Sequence, residues 1–568
     1  MEKAQSLSNN QSIFPNEASL ETSSCFAEWS EEETLIAKTI ESFVEKQVIP
    51  QLDALEAHDY QATQHLFSQA GDLGLLGADV PEAYGGLAMG KKTAGLIAEK
   101  MGFGGSFSVA FNIHTGVGTL PYVYFGTEEQ KATYVSKLAS GEWIGAYALT
   151  EPGSGSDALA ANTTAVFDTK SEEWILNGEK QWITNAHVAD VYVVFAKTEA
   201  GITAFIIERK MSGVSVGPEE DKLGIKGSST ATLILEDVRI PKENVMGEDG
   251  KGHHIALNIM NLARLKLAFA NLGTAKQSLA LAVNYGKERK QFQQAITTFP
   301  MIQEKLANMT LAIYGAESAA YYTASLVDQI DADFEDGEDV VKKISRYAMD
   351  CAINKVYASE KLDWIVDEAL QIHGGYGYMQ DYEIERLYRD ARINRIFEGT
   401  NEINRLTITK SFLKQYEKDP SIIDQKGRRD QQGGDQSFVQ LSEELLSIMM
   451  KPLSNLDRKT LEKEQECLRL LADVIQEIYV MKAVLVRHET ATNNQSIQQL
   501  ITEVLCEEGY RKIESAAVSI IASLTSDDLA KQALFDEINA LPIPLYTNSI
   551  AKKRKIAMEV IDHQGYFI

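Results

Sequence analysis

The sequence predicts a mainly α-helical chain with a central β domain. Three observations carry this: helical periodicity to about residue 147, short apolar runs punctuated by turn residues over 148–252, and long helical periods thereafter. A chain of 568 residues with 44% hydrophobic content is too long for one core and too apolar for disorder. Several packed layers or domains are therefore expected.

Residues 1–27 lack a basic stretch followed by an apolar one, so they read as a flexible tail rather than a signal peptide. Ser30 to Glu33 is S-x-x-E before Leu35, Ile36, Ile40 and Phe43, a capping box that opens the first amphipathic helix of an N-terminal α domain over 28–147. Gln64 to Leu73, Lys91 to Met101 and Glu128 to Leu138 continue its helical spacing. In a middle β domain over 148–252, Trp174-Ile175-Leu176, Asn177-Gly178 and Glu179 to Thr184 read as strand, type I′ turn and strand. Tyr192 to Lys197, Thr203 to Glu208, Val214 to Val216 and Ala231 to Leu235 add short strands. Over 253–416 a helical bundle is expected from His253 to Tyr285, Met301 to Gln329, Glu338 to Leu370 and Asn401 to Gln415. Residues 417–437 are polar and glycine-bearing and read as a linker. Beyond it, 438–568 is a helical C-terminal extension without a chemical motif, suited to packing or targeting.

Acidic residues outnumber basic ones by 81 to 55, and the resulting charge of −26 repels nucleic acid and anionic membranes. Lys552-Lys553-Arg554-Lys555 is a local exception that reads as a solvated helix face, with peripheral membrane contact not favoured. Cys25, Cys351, Cys467 and Cys506 are too dispersed for a metal clamp and too few for a disulfide framework. Apolar runs such as Val191 to Ala196 have strand length, short of the roughly 20 residues that span a bilayer. A soluble cytoplasmic protein without a metal is the expectation.

Five segments could carry chemistry. ALTEPGSGSD (Ala148 to Asp157) is an interdomain turn or a loop whose Gly153 and Gly155 bring backbone N–H groups close to a ligand. In QWITNA, strand alternation puts Trp182 and Thr184 on one face, as a buried core pair or as a ring and hydroxyl for a ligand. ERKQF (Glu288 to Phe292) ends a helix with Arg289, which can fork onto a phosphate, and an aromatic ring three residues on. QIHGGYGY (Gln371 to Tyr378) contains a glycine C-cap that explains Gly374 and Gly375 but not the whole set. RIFEGTNEI (Arg395 to Ile403) sets Glu398 among apolar neighbours, where burial raises a carboxyl pKa toward that of a general base.

In this order, on an α, β, α background, the five segments resemble the acyl-CoA dehydrogenase family of flavoproteins over about residues 30 to 412. KLGIKGSSTATL (Lys222 to Leu233), DVRIPKENVMGEDGKG (Asp237 to Gly252) and RLYRDARI (Arg386 to Ile393) agree with it. The resemblance implies an N-terminal helical domain, a β-barrel-like middle domain and a C-terminal helical bundle holding FAD and dimer contacts. The extension after residue 437 is similar to that of the very-long-chain subgroup. By resemblance, Tyr147, Leu149 and Thr150 contact the flavin, Trp182 packs beside it, Thr184 bonds near N5, and Ser156 touches both FAD and the coenzyme A moiety. Arg289 and Phe292, with Gln371 and Gly375, match residues that clasp the FAD of a neighbouring subunit, implying a homodimer. Phe299-Pro300 stands where the family often has Gln, and Thr400 and Glu402 match further cofactor contacts.

Glu398 matches the catalytic base, with the backbone N–H of Glu398 and the FAD ribityl 2′-hydroxyl binding the thioester oxygen. Phe397 and Gly399 flank it at the substrate. Some branched-chain relatives carry the base just before Arg264; Ala263 there cannot serve, which implies straight-chain substrates. Gly116 and Gly118 are expected to leave space at the acyl-pocket floor, or to allow close helix packing. The implied activity is α,β-dehydrogenation of long-chain acyl-CoA in fatty-acid β-oxidation, with electrons passed to electron-transfer flavoprotein. An acyl-CoA oxidase using dioxygen, and a non-catalytic partner acting through the extension, are the alternatives.

Overall fold

The computed structural model describes residues 26, 29–331, 340–423, 435–491, 493–542 and 546–568. Most of the expected N-terminal tail, Cys25 and residues 424–434 of the expected linker lie outside the described residues. The helices in chain order are α1 (Glu31–Phe43), α2 (Leu52–Glu56), α3 (Tyr60–Asp72), α4 (Lys91–Met101), α5 (Ser106–Ile113), α6 (Leu120–Phe125), α7 (Glu128–Ser140), α8 (Gly252–Glu288), α9 (Pro300–Asp331), α10 (Val340–Arg346), α11 (Ala348–His373), α12 (Glu383–Ala391), α13 (Asn401–Lys418), α14 (Asp435–Ser454), α15 (Arg458–Leu461), α16 (Gln465–Thr490), α17 (Gln495–Leu524), α18 (Asp528–Asn539) and α19 (Ser549–Asp562). The strands are β1 (Gly145–Ala148), β2 (Thr164–Asp168), β3 (Glu173–Thr184), β4 (Val191–Lys197), β5 (Ile202–Glu208), β6 (Val214–Glu219), β7 (Thr230–Pro241), β8 (Val245–Met246), β9 (Lys290–Gln291) and β10 (Gln294–Ala295). Mainly α with a central sheet is thus the observed class.

Two compact units divide the chain: a larger one of 29–282 and 323–401, and another containing 283–322 and 402–568. In the larger unit the capping box forms as expected, Ser30 Oγ accepting from the Glu33 backbone and Glu33 from that of Ser30. Behind it Phe43, Phe67, Phe107 and Phe111 build one helical core. The sheet runs β6-β7-β3-β2-β4-β5-β8, with β1 parallel to β4. Leu176, Tyr192, Phe205 and Leu233 form a second core on it.

The expected hairpin at Asn177-Gly178 does not form. Instead β3 is one strand that continues through it, flanked by β2 on one side and β7 on the other, with a register shift between Leu176 and Gly178. Two neighbouring strands outweigh the local turn preference, and Gly178 serves close approach: a Cβ there would lie 2.4 Å from Thr163 Oγ1.

In the other unit, α14, α16 and α17 bury Leu445, Leu471, Ile475, Ile501 and Ile520 on their apolar faces. Arg487 pairs with Glu317 at 2.6 Å and donates to the carbonyl of Ile568, while Tyr566 donates to Glu317. Tyr566 and Ile568 are thereby fastened to a buried ion pair. Lys552 and Lys553 pair with Glu503 and Glu508, neutralising part of the basic cluster. Among the described residues, no helix is long and apolar enough to cross a membrane, and no group of His, Cys, Asp and Glu side chains could hold a metal.

Candidate active site

Glu398 sits in the turn between α12 and α13 with φ at 55°, a conformation uncommon for a residue with a Cβ. Two buried cations hold that turn. Arg264 Nε donates to the Glu398 carbonyl at 3.1 Å, and its guanidinium also reaches Asn261 at 2.9 Å. Lys355 Nζ donates to the Gly399 carbonyl at 2.8 Å and to Asn401 Oδ1 at 2.7 Å. Asn401 is in turn anchored on Ser359 and Glu360. The sequence reading missed Lys355, Asn401 and Ser359 as supports; the available signal was a lysine between Ala352, Ile353 and Val356 on an otherwise apolar helix.

The carboxyl of Glu398 is withdrawn from water, its Oε2 being shielded from solvent. Burial pushes its pKa above the ordinary carboxylate range, and Arg264 and Lys355 pull it part of the way back. The Tyr147 hydroxyl is buried too, pushed well up by burial and by the charge of Glu398. A base held at a fixed atom, with its affinity for protons raised, is what the turn offers.

Glu398 and Phe397 line a pocket of about 720 Å³, counting its part open to solvent. One wall is the face of α8 carrying Ala263, Leu267 and Ala270; opposite it α5 contributes Ser108 and Val109, and α12 contributes Leu387 and Ala391. Its breadth of apolar lining suits an acyl chain. Neither Gly116 nor Gly118 lines this pocket: Val117 between them does, while a Cβ on Gly118 would lie 2.8 Å from the Gly145 carbonyl oxygen. Gly118 thus lets a π-helical turn approach β1.

On the β side, the ALTEPGSGSD loop is tied down by a buried ion pair that the sequence reading also missed. Lys180, wholly buried, reaches Glu151 at 2.6 Å and the Leu149 carbonyl at 3.3 Å. Glu151 also accepts from Asn162 and Thr163, and these bonds outweigh burial to hold its pKa down. Thr150 accepts through its carbonyl from Gln181 N at 2.9 Å. This loop carries Leu149, Thr150 and Ser156 and joins β1, which carries Tyr147.

A register shift between Lys180 and Ile183 turns the end of β3, with Trp182 at φ 58°. Ile183 is buried, Trp182 is 57% exposed and Thr184 half-buried. The indole is therefore presented rather than packed into a core. Gln371 lies on the last turn of α11, and Gly374 and Gly375 follow it with no neighbour within 4 Å of an added Cβ. Thr400 lies between Gly399 and α13, and Glu402 in the first turn of α13 is exposed.

In the other unit, Arg289 follows α8 and leads into a hairpin of β9 and β10 whose two turn residues, Phe292 and Gln293, both have positive φ (52° and 67°). That is the type I′ geometry usually given to Asn and Gly. It leaves the Phe292 ring 88% exposed.

Comparisons agree across the chain. Family models match at residues 30–142 (acyl-CoA dehydrogenase, N-terminal domain), 146–238 (middle domain), 250–413 (C-terminal domain), and again 455–536 (acyl-CoA dehydrogenase, C-terminal domain). A probable acyl-CoA dehydrogenase of Bacillus subtilis (strain 168) is 43% identical over 95% of both chains. The human mitochondrial short-chain specific acyl-CoA dehydrogenase is 40% identical over 68% of this chain and 92% of its own. A crystal structure of an acyl-CoA dehydrogenase complexed with FAD from Bacillus anthracis superposes with a TM-score of 0.91 at 43% identity, covering 95% of this chain and 96% of that one.

Proposed function

The chain belongs to the acyl-CoA dehydrogenase family, and from that premise we propose that it converts straight, long-chain acyl-CoA thioesters to trans-2-enoyl-CoA in fatty-acid β-oxidation. Electron-transfer flavoprotein is the proposed acceptor, and a homodimer of the very-long-chain type the proposed assembly. The observation that carries the reading is Glu398 in its propped turn at the pocket wall.

FAD is the cofactor of this family, and when bound it accepts the β-hydride. The residues fit such a group. A presented indole at Trp182, a half-buried Thr184 hydroxyl and a tied loop bearing Leu149, Thr150 and Ser156 would hold the flavin end, beside Tyr147. For a partner subunit's cofactor, Arg289 and Phe292 supply a guanidinium and an open ring. Gln371 and Gly375 supply an amide and uncrowded backbone. Thr400 and Glu402 stand as further cofactor contacts.

The chain's own part in the reaction is proton chemistry and positioning. Glu398 takes the α-proton of the thioester, a weak acid, so its raised pKa makes it a better acceptor while Arg264 and Lys355 keep enough of it ionised. The backbone N–H of Glu398 is the proposed donor to the thioester oxygen, where negative charge grows as the proton leaves. Burial of the Glu398 carboxyl keeps bulk water from the proton transfer. Length preference is supported by its run along α8 from Ala263 to Thr274, eleven residues or about 16 Å at 1.5 Å per residue.

The test is anaerobic titration of the flavin-loaded protein with butanoyl-, octanoyl- and palmitoyl-CoA, for wild type and Glu398→Gln. The reading expects palmitoyl-CoA to bleach the wild-type flavin most readily and the variant to stay oxidised. Bound flavin that no ester bleaches would sink it.

A further inference from the structure

The acyl pocket is not apolar throughout. Three buried polar atoms on its walls have no hydrogen-bond partner among the described residues: Asn271 Nδ2, Asn112 Oδ1 and Asp390 Oδ2. Their other ends are engaged or hidden. Asn112 Nδ2 donates to Ser108 Oγ at 3.3 Å, Asp390 Oδ1 accepts from the Ile225 backbone, and Asn271 is 3% exposed. Buried polar atoms without partners are rare in folded proteins, since each forfeits the water it would otherwise bind.

Their depth can be read from the helices. Lys266 Nζ donates to the Thr115 carbonyl near the Glu398 end of the pocket, and Thr274 Oγ1 donates to the Gly102 carbonyl at the other, so α5 and α8 run antiparallel along it. Asn271 lies eight residues beyond Ala263, about 12 Å along α8. Asn112, three residues before Thr115 on the facing segment, also lies inward of the Lys266 contact. Asp390 stands between Leu387 and Asn394 on the segment that leads to Glu398.

We propose that these three atoms form a subsite for a hydroxyl group carried by the acyl chain, about 12 Å along α8 from Ala263, so that hydroxylated acyl-CoA esters are preferred over unsubstituted esters of equal length. A hydroxyl both donates and accepts, and it meets one donor, Asn271 Nδ2, and two acceptors, Asn112 Oδ1 and Asp390 Oδ2. A terminal carboxylate matches less well, because Asp390 and Asn112 present oxygen to it. A methylene at the same depth satisfies none of the three. The inference rests on the dehydrogenase reading and deepens it by naming what the chain must carry.

The experiment compares decanoyl-CoA, ω-hydroxydecanoyl-CoA and the ω-carboxy ester of equal length in anaerobic flavin titrations. Wild type is expected to half-saturate with the hydroxy ester at about tenfold lower concentration than with decanoyl-CoA, the margin that about one net hydrogen bond makes. Asn271→Leu and, independently, Asn112→Leu, each checked for bound flavin, are expected to bring that ratio to one or reverse it. Equal half-saturation by the hydroxy and unsubstituted esters in wild type would overturn the subsite while leaving the dehydrogenase reading in place, as would tighter binding of the carboxy ester. Bound flavin that none of the three bleaches would overturn both.

Discussion

Glu398 and Phe292 share an uncommon backbone conformation, with φ at 55° and 52°, in opposite surroundings. The Glu398 turn is held by Arg264 and Lys355 on successive carbonyls, whereas Phe292 stands on a two-residue hairpin turn with its ring 88% exposed. Strain of this kind amounts to roughly 1–3 kcal/mol per residue and persists where surrounding structure over-determines it. At Glu398 that support is visible and local, and it holds the backbone from which the carboxyl is presented, as a positioned base demands. At Phe292 the turn is closed by two short strands, and the ring meets Phe299 edge-on with centroids 6.0 Å apart. Ile225, a β-branched residue at φ 48°, belongs with Glu398, because Asp390 accepts its backbone N–H.

The largest effect should come from breaking the first turn's purpose without its geometry. Glu398→Gln keeps size and shape but cannot take the α-proton, and flavin reduction should slow by roughly a thousandfold or more. The folded variant should be as stable as wild type, since a desolvated charge has been removed. In wild type the raised pKa places the loss of rate on the acid side: flavin reduction should decline as pH falls through a value above the ordinary carboxylate range. A pH profile that Glu398→Gln leaves intact would assign the base elsewhere.

Breaking the support instead of the base is the next test. Lys355→Met leaves the Gly399 carbonyl and Asn401 Oδ1 without that donor inside the protein. Urea unfolding should show a loss of about 2–4 kcal/mol, with slowed flavin reduction in the folded fraction. A variant of unchanged stability that reduces flavin normally would show that the turn does not need its prop.

How far these features were legible in the sequence follows the same division. The α, β, α order and the motif positions could be read because they rest on local periodicity and on residue order. Asn177-Gly178 misled because its turn preference is local, while β2 and β7 flank the strand from 164–168 and 230–241. Conversely, Phe292-Gln293 carries no turn signal and yet makes the I′-like turn. Lys180 and Lys355 were silent for a related reason. Each is a polar residue within a regular period, and only the partners brought by the fold, Glu151 from 29 residues away and Gly399 from 44, give it meaning.

A third propped position offers a smaller, pH-dependent test. Burial pushes the Asp390 carboxyl up to about 6 from an ordinary value of 3.8. Between those values the folded chain retains a proton that the unfolded chain has lost, so this group's contribution is greatest below pH 3.8 and falls as pH rises toward 6. The two-unit difference corresponds to about 2–3 kcal/mol. Denaturant titrations of wild type against Asp390→Asn should show the gap in their pH slopes over this window and not above it. Parallel slopes would mean that the Asp390 carboxyl is ionised throughout.

The smallest effect on stability should appear at the exposed turn of Phe292. Phe292→Gly replaces a residue at φ 52° by one that adopts this conformation without a Cβ penalty. The ring, 88% exposed, forfeits its edge-on contact with Phe299, so stability should stay within about 1 kcal/mol of wild type, the relief of strain being offset by that contact and by the greater freedom of glycine in the unfolded chain. Flavin retention, followed by the ratio of flavin to protein absorbance through gel filtration, should nevertheless fall, because the open ring is the proposed contact for the cofactor of a partner subunit. Loss of stability without loss of flavin would reverse the assignment, making Phe292 a structural residue and the strain of its turn incidental.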